Sequence, residues 1–231
     1  IKCSSRALDL AVKNSSRLHI LHLSTAEEIE MIKEAQKQNP EISGEVCVHY
    51  MWFNSKQYQE FGSKMKCNPA IKEESDMVAL RKAVKDGIID VVATDHAPHL
   101  QEEKLQPYTK APSGLPLVQH SLQLMLELVK KGLFTIEEVV KKMSHGPANC
   151  FNIRKRGYIK EGFYADLVLI NTSLPDSSTA LAPSYKCGWS PFAGYTFSSS
   201  VIHTFVNGCQ VVANGKLTGE KNSMRLLFDR K

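Results

Sequence analysis

The sequence predicts an α/β fold, the C-terminal part of a (β/α) barrel followed by a small β module, on three observations. Over residues 1–155 short apolar runs alternate with helical periodicity, which implies a parallel sheet with right-handed crossovers. After about residue 155 the helical pattern stops and short β-like runs separated by turns take over. Only three or four strand–helix units are present, and so few parallel strands would leave apolar edges exposed. Earlier barrel strands are therefore expected outside these 231 residues. The expected division is residues 1–155 for the barrel portion and 156–231 for the β module.

The spacing of Ala7, Leu8, Ala11 and Val12 predicts a helix over residues 4–14, broken by Asn14-Ser15-Ser16. Residues 18–23 read as a strand. Ser24 with Glu27 makes a capping box that opens a helix on which Ala26, Ile29, Ile32 and Ala35 share one face. A second strand covers residues 44–49. Residues 51–66 are irregular or weakly helical, and residues 66–69 are a short extended piece closed by Pro69. A helix over 75–86 turns Met77, Leu80, Ala83 and Val84 inward and ends at Gly87. The β-branched run Val91-Val92 follows as a buried strand, ending abruptly in Asp95-His96-Ala97-Pro98-His99 because Pro98 fixes its φ and offers no N–H. Residues 95–115 form a loop long enough to expect a functional role.

Residues 116–131 read as helical up to Gly132, and Thr135 with Glu138 caps a helix carrying Ile136, Val139, Val140 and Met143. In the β module, residues 157–159, 165–170, 201–206 and 210–213 are strands, and Asn207-Gly208 is a hairpin turn. Residues 172–200, rich in Ser, Pro and Thr, read as an extended surface excursion.

Composition narrows the classes. A hydrophobic share of 42% and a charged share of 23% are those of a soluble globular chain. The net charge of +5 is dispersed, with no basic stripe interleaved with aromatics, so nucleic acid is not an expected partner. No apolar run approaches the roughly 20 residues of a membrane span. The start, Ile1-Lys2-Cys3-Ser4-Ser5, is neither an initiator Met nor a signal peptide and reads as a chain in progress. Six scattered cysteines without a CxxC pair argue against a structural zinc cluster and for reduced thiols in the cytosol.

If the strands are parallel, His22, His49, Asn68 and Asp95 with His99 stand at their carboxyl ends, where α/β enzymes keep their chemistry. Imidazole and carboxylate together suit Zn2+ or a similar divalent ion and hydrolytic chemistry. Asp95 could also take a proton from water and hand it to a leaving nitrogen. Each residue has a plainer reading. His19 reads as a satisfied core histidine, His49 as a supporting or structural residue, and His96 as pointing elsewhere. His145, before Gly146-Pro147, reads as helix-start punctuation, and Cys67 as core.

Five runs taken together resemble dihydroorotase: LHILHLSTA (18–26), CNPAIK (67–72), ATDHAPH (93–99), APSGLPLVQ (111–119) and GFYADLVLI (162–170). Dihydroorotase is a cyclic amidohydrolase of the dihydropyrimidinase and allantoinase superfamily, and the likeness runs from near residue 4 to near residue 218. The resemblance implies a (β/α)8 TIM-like barrel, with the β module as the small β-sandwich that flanks it. It also implies a binuclear zinc site to which His22 and Asp95 contribute, Asp95 serving as proton shuttle as well. His99 matches a residue holding the substrate carboxylate and Asn68 a substrate-contacting asparagine. Ser113 and Gly114 match a loop whose backbone meets the pyrimidine ring.

The implied reaction is reversible hydrolysis of dihydroorotate to N-carbamoyl-L-aspartate in de novo pyrimidine synthesis, by a cytoplasmic enzyme for which a homodimer is admitted. The chain departs from the family pattern in lacking its HxH pair, its carbamylated lysine and a further histidine, all of which precede the region represented here. Alone, it is expected to be inactive. Three other readings stay open: a neighbouring cyclic amidase such as dihydropyrimidinase or allantoinase, a non-catalytic amidohydrolase-like scaffold subunit, and an α/β binding domain without chemistry.

Overall fold

The computed structural model describes residues 1–177 and 183–229 of the chain. Two compact units divide it: Ile1–Ser121 with Ser178–Tyr195, and Leu122–Ser177 with Thr196–Lys231.

In the first unit, β1 (Leu18–Ile20), β2 (Ile42–Cys47) and β3 (Val91–Ala93) form a parallel sheet in that order. Register pairs Ile20 with Gly44 and Cys47 with Ala93. The helix Ala26–Gln38 lies along β2, flanked by Lys2–Lys13 and Glu74–Lys85. Its buried stripe is Ile29, Ile32 and Ala35, and Glu74–Lys85 buries Met77, Leu80, Ala83 and Val84, as the periodicity requires. A Cβ on Gly44 would lie 2.8 Å from Leu23 Cδ1 and 3.2 Å from Ile32 Cδ1, so glycine lets the helix approach this face of the sheet. Strand alternation then turns Ser43, Glu45 and Cys47 to the other face.

Three local expectations shift. β1 stops at Ile20 rather than reaching residue 23, because His22 adopts a φ of 40° that no strand admits. The next helix is capped one residue later than Ser24. Thr25 accepts from the Glu28 amide at 3.1 Å, and Glu28 reaches back to the Ser24 amide at 3.3 Å. The helix expected over 116–131 spans Ser121–Lys130 instead. The Leu117 and Val118 amides donate to His96 Nδ1 at 2.9 and 3.2 Å, which satisfies them outside a helix.

The stretch read as a surface excursion is exposed over residues 172–175, has residues 178–182 outside the described residues, and is corrected in its later part. Cys187, Trp189, Ser190 and Phe192 are buried in the first unit, and the Phe192 ring stacks on Phe53 with centroids 5.6 Å apart. The aromatic side chains outweigh the polar composition around them.

The second unit joins the helical segments to an antiparallel sheet. β4 (Leu167–Asn171), β5 (Ser200–Val206), β6 (Cys209–Ala213) and β7 (Lys216–Leu217) lie in that order. Gln123 ties the helix to it, donating to Asp176 Oδ2 at 3.0 Å and to the Ser199 carbonyl at 3.2 Å. Asn207-Gly208 turns β5 into β6 with φ of 50° and 80°, as expected. Asn214-Gly215 repeats that geometry at 50° and 75° and adds β7, a strand the sequence reading passed over. Residues 157–159 form no strand.

His145 is not a helix start. The helix runs through it, from Ile136–Val140 by a π turn over Lys141–His145 into Gly146–Cys150. The wider turn accommodates Pro147, which has no N–H to donate, and His145 stacks on Tyr158 at 4.1 Å. Among the described residues no helix is long and apolar enough to cross a membrane.

Candidate functional site

The first unit carries a common pattern at the carboxyl ends of its strands. His22 stands two residues past β1 (20 to 22), His49 two past β2 (47 to 49) and Asp95 two past β3 (93 to 95). His22 and Asp95 both have left-handed backbones, with φ of 40° and 48°. Such conformations cost a non-glycine residue roughly 1–3 kcal/mol and gather at functional sites. The side chains of His22, Asp95 and Asn68 have no hydrogen-bond partner among the described residues, and Asp95 and Asn68 are exposed. They are therefore available to a ligand.

His49, between them, is 1% exposed, and neither ring nitrogen has a hydrogen-bond partner. Burial, and then the charge at His22, hold its pKa down to about 3, so the imidazole is neutral. Burial also pushes the Cys47 thiol up, with the charges of Glu45 and Asp95 adding to it. Cys67 is buried as expected. His19 is satisfied on both nitrogens, by Ser43 Oγ at 2.8 Å and Glu45 Oε2 at 3.2 Å, as a core histidine should be.

A second set of residues is drawn together by the loop after β3. Ala97 N donates to the Leu115 carbonyl at 3.0 Å, closing the loop on itself. His99 Nε2 lies 3.1 Å from the Ser113 carbonyl, which makes that nitrogen the donor. Trp189 Nε1 holds the His99 carbonyl at 2.8 Å. Gly114 packs so tightly that a Cβ there would sit 2.3 Å from Ala97 Cβ, and its amide donates to the Lys66 carbonyl at 2.9 Å. That bond brings in the segment bearing Asn68, whose bond to Pro69 is cis. Lys104 is fully buried and donates to the Lys66 and Pro112 carbonyls at 2.7 and 2.9 Å. Burial brings its pKa down to about 8, with the Lys66 charge working the same way against an opposing contribution from Cys67.

The structure thus gathers His99, Ser113 and Gly114 by direct contact, and sets His22 and Asp95 at equivalent places on one end of the sheet. It does not make a metal centre of them. Among the described residues no group of three or more His, Cys, Asp or Glu could hold a metal ion, so His22 and Asp95 do not by themselves fit a binuclear zinc site. Lys104 and Trp189 were missed by the sequence reading. For Trp189 a signal existed, since Cys187, Trp189 and Phe192 interrupt a polar stretch. For Lys104 there was none, because one lysine in a loop has no periodicity to reveal burial.

The parallel sheet with helices and the loop-borne polar cluster define an α/β domain, and the chain belongs to the amidohydrolase family, whose model matches residues 7–211. Relatives within it are dihydroorotases: that of Endomicrobium trichonymphae is 35% identical over 88% of this chain and 49% of its own length. That of Lactococcus lactis is 36% identical over 86% of this chain and 47% of its own. Among solved structures, the L-hydantoinase (dihydropyrimidinase) of Arthrobacter aurescens superposes with a TM-score of 0.88 at 26% identity, covering 95% of this chain and 50% of that one. The chain spans about half the length of the curated relatives it matches.

Proposed function

We propose that the chain carries a portion of the active site of a zinc-dependent cyclic amidohydrolase, a dihydroorotase that reversibly hydrolyses dihydroorotate to N-carbamoyl-L-aspartate in de novo pyrimidine synthesis. The observation that carries this reading is the shared two-residue offset of His22 and Asp95 beyond parallel strands, both with left-handed backbones and both lacking internal partners. Asp95 accepts the proton of the attacking water and delivers it to the leaving ring nitrogen. Asn68, His99 and the backbone of Ser113 and Gly114 hold the substrate, His99 meeting its carboxylate. β1–β3 are strands of the (β/α)8 barrel, to which residues 1–155 belong.

Within residues 156–231, β4–β7 form one layer of the flanking β-sandwich. In support of this, Val168 and Leu169, neighbours that point to opposite faces of β4, are 50% and 47% exposed, so both faces of that sheet are open to further layers. A small-molecule substrate, no nucleic-acid partner, a homodimer and a cytoplasmic setting belong to the same reading, the last supported by six free cysteines.

His22 and Asp95 are two zinc ligands, too few for a binuclear site. After dialysis this chain is therefore expected to retain well under one equivalent of zinc by metal analysis and to show no turnover of dihydroorotate. Stoichiometric, tightly held zinc would contradict that ligand assignment. The reaction itself is tested on the protein expressed at the full length of its gene, by comparing kcat/KM for dihydroorotate, dihydrouracil and hydantoin. Preference for the uncarboxylated rings would favour the second reading, a dihydropyrimidinase-type amidase, which the hydantoinase superposition supports.

His99→Ala in the full-length protein should raise KM for dihydroorotate about ten- to a hundredfold, the loss of one charge-assisted hydrogen bond of about 1.5–3 kcal/mol. An unchanged KM would remove His99 from carboxylate binding.

A further inference from the structure

The geometry points to Lys104 as a positioning residue: its buried ammonium clasps the segment bearing Asn68 to the segment bearing Ser113 and Gly114, and so sets the shape of the substrate-holding side of the site. This rests on the proposed assignment of those residues to substrate binding. The contacts themselves do not. Lys104 Nζ donates to the Lys66 carbonyl at 2.7 Å and to the Pro112 carbonyl at 2.9 Å. Lys66 is two residues before Asn68, and Pro112 immediately precedes Ser113.

The Lys66 carbonyl is shared, because it also accepts the Gly114 amide at 2.9 Å. One oxygen is thus the meeting point of both segments. Lys104 stands at the end of the short helix Gln101–Lys104, which begins two residues after His99 along the loop. The ammonium therefore fastens the loop from inside.

A lysine is an expensive way to make two hydrogen bonds. Its side chain is fully buried, and no carboxylate among the described residues pairs with it. A buried cation without a counter-charge is destabilising unless carbonyl dipoles solvate it. An ammonium carries three N–H donors on one atom, two of which meet the two separate carbonyls, and a hydroxyl on a short side chain, with its single donor, could not. Lys66, whose own ammonium reaches out to the Tyr108 carbonyl at 2.7 Å, does not substitute for it.

Three measurements test the clasp. In the wild-type full chain, the Lys104 ammonium protons should be protected enough to observe by NMR below pH 7, with through-space contacts to residues 66 and 112. An ammonium in free exchange with solvent would overturn the proposal, whatever the variants do. In Lys104→Met, which keeps the stem and removes the donors, the Gly114 amide should exchange with solvent about tenfold faster or more, while Val46 and Val92 in the sheet keep their protection. Unchanged exchange at Gly114, or equal loosening of the sheet, would overturn it.

In the full-length protein, the same variant should raise KM for dihydroorotate about tenfold while kcat stays within about threefold, because His22 and Asp95 are untouched. A fall in kcat at constant KM would count against positioning. If the full-length wild type does not act on dihydroorotate, the functional reading fails and the substrate side of the proposal with it; the first two measurements still decide the clasp.

Discussion

Asp95→Asn in the full-length protein is expected to depress turnover of dihydroorotate by roughly 10²- to 10⁴-fold, the range a positioned proton acceptor supplies. The substitution keeps the shape of the side chain and removes its capacity to accept a proton near neutral pH. Asparagine also tolerates the left-handed backbone that Asp95 adopts, with φ at 48°, so the fold should be unaffected. The Asp95 carboxylate has no hydrogen-bond partner among the described residues, so its neutralisation removes no hydrogen bond within the chain. Zinc content measured beside the rate separates loss of the proposed metal contact from loss of the proton acceptor. Circular dichroism and the unfolding midpoint should match the wild type while the rate collapses. Near-normal turnover would take Asp95 out of the mechanism.

Gly114→Ala should be the most damaging single substitution for the loop itself, costing about 2–6 kcal/mol in denaturant unfolding. Two physical contributions add. The backbone at φ +135° is one an alanine adopts only with strain of roughly 1–3 kcal/mol. The new methyl would lie 2.3 Å from Ala97 Cβ and 3.1 Å from the Ala97 carbonyl, and overpacking of that kind costs about 1–3 kcal/mol. Ala97 has no longer side chain to swing aside. Gly87→Ala is the control: its φ is +82°, yet nothing lies within 4 Å of the added atom, so only the backbone contribution remains. Equal losses at the two glycines would mean that the loop slides to accept the methyl.

Much of this architecture was legible beforehand. The buried stripes of Ala26–Gln38 and Glu74–Lys85 follow from period 3.6, and the β5–β6 hairpin from an Asn-Gly pair that tolerates positive φ. The placement of His22 and Asp95 at strand ends could be read because an apolar run that stops at a polar residue marks a strand's end. What could not be read was anything decided by contacts between distant segments. The start of the helix Ser121–Lys130 moved because an imidazole 21 residues before Leu117 took its amide. The burial of Trp189 depends on partners such as the His99 carbonyl, 90 residues away.

The amino-acid order alone determined the succession of parallel strands and helices, the antiparallel module after them, and which polar residues close each strand, because these depend on local periodicity and turn chemistry. Tertiary structure alone decided that Lys104 is buried against two carbonyls, that His49 is sealed without hydrogen-bond partners, and that Gly114 has room for no side chain. Those are properties of the space between segments, and the free energy of a buried charge or a missing methyl exists only once the segments have met.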